Sequence, residues 1–115
     1  MQSEISIIYS NLKILEPSLN FYLMENKIWK ISGAAFTVDK KYIFLCTKSD
    51  LNTMTYVALH ELSHVKSKNW GHGPEFIKTF KELVKRAISL GFYKYQDYSQ
   101  FPINYCNFQL NTQIA

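Results

Sequence analysis

An α+β fold is predicted for this 115-residue chain: an antiparallel β-hairpin packed against a central helix, with a second long helix beside it. Three observations predict it. Residues 28–38 and 41–47 are rich in β-branched and aromatic side chains and are separated by the turn-forming pair Asp39-Lys40. Residues 53–66 are apolar almost all round, as suits a helix in the middle of a domain. Residues 74–90 place Phe76, Phe80, Leu83, Val84 and Ala87 at helical spacing and are followed by Gly91, a natural stop. With 47% hydrophobic and 19% charged residues, the chain can bury a modest core as one domain spanning 1–115.

Taken in order, Ile5, Ile8, Leu12 and Leu15 recur at helical spacing, with Ser3 as the N-cap. Pro17 suits the first turn of a second, short helix to about Glu25. The segment Ile28–Val38 reads as a strand in which Gly33 marks a bulge or close approach, and Lys41–Thr47 as its hairpin partner. Ser49-Asp50-Leu51-Asn52 supplies candidate caps for the central helix, on which Met54, Ala58, Leu62 and Val65 form one stripe and Val57, His60 and His64 another. Ser67–Gly73 breaks that helix, and Pro74 opens the next. The remainder, from Phe92 to Ala115, is turn-rich and covers the core irregularly, with a short strand near Tyr105-Cys106.

The bulk properties narrow the function. A formal net charge of +4 does not demand nucleic acid. No run reaches the roughly 18 apolar residues of a membrane span, and no basic segment followed by an apolar one signals export. Cys46 and Cys106, sixty residues apart, are expected as reduced thiols, which fits an intracellular protein.

The chemistry lies in His60-Glu61-Leu62-Ser63-His64. Histidines four apart share a helical face, with Cβ atoms about 5–6 Å apart, so both imidazoles reach one metal ion. Glu61 projects to one side, where it meets a water on the metal instead of binding the metal itself. This is the zinc metalloprotease pattern, with Glu61 as general base. A catalytic zinc takes three protein ligands, and His72, in a glycine-flanked turn, is the preferred third. Glu75 competes, although the first turn of the following helix gives its carboxylate a helix dipole to complement.

The stretch from His60-Glu61-Leu62-Ser63-His64 to His72-Gly73-Pro74-Glu75-Phe76 resembles the WLM-domain metallopeptidases, relatives of the SprT/spartan proteases that degrade proteins crosslinked to DNA. Small stand-alone forms of this kind occur in large DNA viruses. The similarity takes in the strand Ile43-Phe44-Leu45-Cys46 and the region of Tyr105-Cys106. It implies a minimal zincin-like domain, Zn²⁺ as cofactor on His60, His64 and His72, catalysis by Glu61, and protein or peptide substrates that include DNA-associated proteins. Glu61 would take a proton from water as it attacks a peptide carbonyl and return it to the leaving amine. Tyr98 or Tyr105 are candidates to assist the oxyanion, and Tyr42–Thr47 is the expected edge strand for an extended peptide. Lys78, Lys81 and Lys85, with Lys66 and Lys68 nearby, read as a solvated face before a phosphate-contacting patch, so DNA association is weakly supported. The alternative is an inactive zinc-binding accessory domain that binds protein or nucleic acid, its fourth ligand closed by Cys106 or Asp97.

Overall fold

The computed structural model describes residues 3–69 and 71–111; Trp70 of the expected turn and residues 112–115 of the expected tail lie outside them. The chain begins with helix α1 (Glu4–Leu15), whose N-cap Ser3 accepts the Ser6 N–H at 3.1 Å and whose Ile8, Leu12 and Leu15 are buried. Strand β1 (Tyr22–Glu25) and the short helix α2 (Trp29–Ser32) follow, then β2 (Ala35–Val38) and β3 (Tyr42–Leu45). Helices α3 (Leu51–Lys66) and α4 (Pro74–Ser89) lead to a terminal hairpin of β4 (Ile103–Tyr105) and β5 (Phe108–Leu110).

Two of the expected elements differ. Residues 17–25 do not continue as a helix; their second half is β1, which runs parallel to β3 with Tyr22 opposite Tyr42 and Glu25 opposite Leu45. Pairing to a neighbouring strand, and the stacking of Tyr22 on Tyr42, override a weak local helix preference. The long strand expected over residues 28–38 is half helix. Gly33, at a φ of 94°, ends α2 through its N–H to Trp29 O, and only Ala35–Val38 pairs antiparallel with β3. The sheet order is therefore β1-β3-β2. The strand at Tyr42–Leu45, expected at an edge, lies in the centre, because β1 occupies its other side; the edge next to α3 is β2.

Helix α3 is the hub, packing against α1, α4 and the sheet. Its N-cap is Asp50, whose carboxylate accepts the Thr53 N–H at 2.9 Å and the Thr53 hydroxyl at 2.7 Å. Met54, Ala58, Leu59 and Leu62 are wholly buried against Phe76, Phe80 and Leu83 of α4 and Ile43 and Leu45 of β3. No helix among the described residues is long and apolar enough to cross a membrane.

The cysteines are not reduced thiols. The β4–β5 hairpin folds back over the end of β3, so Cys46 and Cys106 meet at a Cα separation of 6.4 Å and form a disulfide. Sixty residues of separation conceal that contact from any local pattern. The bond removes the thiol-based ground for expecting an intracellular compartment.

Candidate metal centre

The central helix holds His60 and His64 one turn apart on the face beneath β2, because Met54, Ala58 and Leu62 fix the opposite face in the core. Beyond α3 the chain turns at Gly71, whose φ of 96° only glycine adopts readily, and returns His72 to the same spot. The Nε2 atom of His72 lies 3.1 Å from that of His64 and 3.2 Å from that of His60. Tetrahedral ligands with Zn–N bonds of about 2.0–2.1 Å stand about 3.3 Å apart, so the three nitrogens fit one zinc ion. Among the described residues this is the one group of three or more histidine, cysteine or carboxylate side chains whose donor atoms converge closely enough to hold a metal.

Phe76, 2% exposed, underlies the cluster: its ring centroid is 4.9 Å from that of His60, 4.5 Å from His64 and 4.7 Å from His72. Burial, then the charges of the other two histidines, lowers the His60 pKa to about 4. Burial, then His72 and Lys40, does the same for His64. Both rings are thus neutral near pH 7, the form that ligates a metal. Nδ1 of His64 is buried with no hydrogen-bond partner among the described residues, unlike the usual metal-bound imidazole, whose second nitrogen donates to an acceptor.

Glu61 stands beside the three histidines and outside their converging group. Burial raises its pKa to about 6, against the lowering effect of a hydrogen bond from Thr37. That hydroxyl, from edge strand β2, donates to Oε1 of Glu61 at 2.7 Å and fixes the carboxylate. Two cavities meet here. One, of about 320 Å³, is lined by Tyr56, Val57, Tyr105, Phe108 and Leu110; the other holds Thr37, His64 and His72; Ala35, His60 and Glu61 line both.

The other expected site residues fall elsewhere. Glu75 is not with the three histidines: from the first turn of α4 its carboxylate accepts the N–H groups of Lys68 at 2.9 Å and Asn69 at 3.1 Å. Tyr98 is buried behind Tyr56 and beside Tyr93 and lines neither cavity. Tyr105 reaches the apolar cavity, yet its hydroxyl donates to the Cys46 carbonyl, and burial followed by the charge of Glu61 raises its pKa. Cys106 is consumed in the disulfide and Asp97 accepts from Ser99, so neither joins the histidines. Lys78, Lys81 and Lys85 are exposed on α4, while Lys66 pairs with Glu16. Thr37 and Lys40 carry no motif that singles them out in the sequence; the strand alternation that turns Thr37 toward α3 is the only signal, and the misplaced strand start obscured it.

No protein-family model matches the chain, and no solved structure matches it. It is 41% identical over 81 residues to the uncharacterized protein 136R of Invertebrate iridescent virus 6, covering 63% of this chain and 44% of that protein. It is 40% identical over 88 residues to the uncharacterized protein R325 of Acanthamoeba polyphaga mimivirus, covering 70% of this chain and 45% of that protein. With the uncharacterized protein 042R of Invertebrate iridescent virus 3 it shares 33% over 107 residues, 87% of this chain and 57% of that protein. The chain thus spans about half the length of the curated relatives it matches.

Proposed function

We propose that the protein is a zinc-dependent peptidase, a minimal zincin-like domain of the WLM type in which His60, His64 and His72 hold the metal and Glu61 is the base. The convergence of three imidazoles beside an anchored carboxylate carries the reading. Zinc held by these histidines would supply Lewis acidity and lower the pKa of a nearby water toward about 7. Glu61, oriented by Thr37, would accept a proton from the attacking water and hand it to the leaving amine. The outer edge of β2 offers Ala35, Phe36 and Thr37 to an extended peptide, which would lie across Glu61. The adjoining cavity takes an apolar side chain flanking the scissile bond, against Val57, Phe108 and Leu110.

Similarity to uncharacterized viral proteins supports a virus-encoded protein, and the WLM resemblance extends the proposed substrates to DNA-associated or DNA-crosslinked proteins. The accessory-domain alternative loses its fourth ligand, since Cys106 and Asp97 lie outside the histidine group. Glu61→Gln is the test: zinc content unchanged and peptide hydrolysis reduced at least a thousandfold. Hydrolysis retained in that variant removes Glu61 as the base.

A further inference from the structure

Seven residues separate His64 from His72, and a connection of that length does not place its last side chain without restraint. The structure supplies a restraint from two directions. The end of α3 and the loop after it present carbonyls with no helical partner. The Lys40 ammonium reaches them: Nζ donates to His64 O at 2.9 Å, Ser67 O at 2.7 Å and Asn69 O at 3.1 Å. From the other side the Glu75 carboxylate takes the amides of Lys68 and Asn69. One loop has its carbonyls gripped by a cation and its amides by an anion. The cation also opposes the negative end of the α3 dipole.

The backbone under Lys40 is the second observation. Asp39 and Lys40, the central residues of the turn closed by Lys41 N–H to Val38 O at 3.0 Å, have φ of 54° and 51°. Paired positive φ values belong to turns that favour Asn-Gly or Asp-Gly. A lysine there sits in an unfavourable conformation that glycine would adopt freely. Such a residue persists where its surroundings hold it, and here the surroundings are the carbonyls of the third-ligand loop.

We infer that Lys40 and Glu75 form a two-sided clamp that sets His72 in place before a metal arrives, with Lys40 as its principal positioning residue. The clamp rests on the three-histidine reading for its purpose, though not for its existence. In the metal-free protein, Lys40→Met and Lys40→Gly are expected to speed amide hydrogen exchange at Lys68 and Asn69 at least tenfold. In chelator competition, both should bind zinc at least tenfold more weakly than wild type, and Lys40→Arg should recover affinity to within about threefold.

Glycine separates the clamp from the turn. Its backbone is better suited to residue 40, so a role confined to the turn leaves zinc affinity unchanged or improved. Glu75→Ala should weaken zinc in the same direction, whereas a first-coordination role for Glu75 would abolish tight binding. Unchanged exchange at Lys68 and Asn69 in folded Lys40→Met and Lys40→Gly overturns the clamp, whatever the metal does. Wild-type protein that binds no zinc overturns the three-histidine reading and leaves the exchange experiment to decide the clamp alone.

Discussion

Phe76→Leu separates a platform for the ligands from ordinary core filling. The Phe76 ring touches all three imidazoles at 4.5–4.9 Å between centroids and Phe80 at 5.9 Å. Leucine keeps the position apolar and close in volume, and such swaps cost less than about 1.5 kcal/mol, so the fold survives. Ring-to-ring contacts add about 0.5–1.5 kcal/mol each beyond area, and on the three-histidine reading three of them would align the ligands. Losing one contact's worth of alignment amounts to about 1.4 kcal/mol, a tenfold loss of zinc affinity. On the three-histidine reading zinc would stabilise only the folded chain, so affinity and stability would be linked. Urea unfolding in excess chelator should show a loss of about 1 kcal/mol, and in saturating zinc a further loss of about 1.4 kcal/mol. Equal losses in the two conditions would refute the platform and leave Phe76 as core alone.

Reduction of Cys46–Cys106 opens a sixty-residue loop, which chain entropy values at about 4 kcal/mol, so dithiothreitol should lower the denaturant midpoint markedly and a Cys46→Ser, Cys106→Ser variant should match the reduced protein. Unchanged midpoints on reduction would show that the bond is not formed in solution. Asp50 gives a pH signature. Burial alone would raise its pKa, but the hydrogen bonds from Thr53 prevail and hold it below 3.8. A carboxyl depressed by folding stabilises the protein above its unfolded pKa and loses that contribution as pH falls through the folded value. Asp50→Ala should therefore cost about 1 kcal/mol at neutral pH and have a shrinking effect below about pH 4, followed by chemical denaturation across that range. A cost independent of pH would contradict the charged cap.

The three long helices α1, α3 and α4 were legible because their signals are local, whereas the helix expected from Pro17 is absent and α2 was read as strand. Ser3 and Asp50 cap, Pro74 starts, Gly91 stops at a φ of 79°, and the apolar stripes of α3 and α4 announce their buried faces. The histidine cluster was legible for the same reason: a four-residue spacing fixes His60 and His64, and only one further histidine exists. What escaped depends on partners distant in sequence. Tyr22–Glu25 is a strand because β3 lies beside it, and β3 becomes central for that reason alone. Thr37 reaches Glu61 across 24 residues, Lys40 reaches Asn69 across 29, and Cys46 reaches Cys106 across 60. Each joins elements whose packing no periodicity specifies.

The most direct measurement is zinc stoichiometry of the purified chain, wild type beside His72→Ala, by elemental analysis after exhaustive dialysis against metal-free buffer. The three-histidine centre requires one tightly held zinc per wild-type chain and its loss in the variant. Equal zinc in both, or none in either, contradicts it.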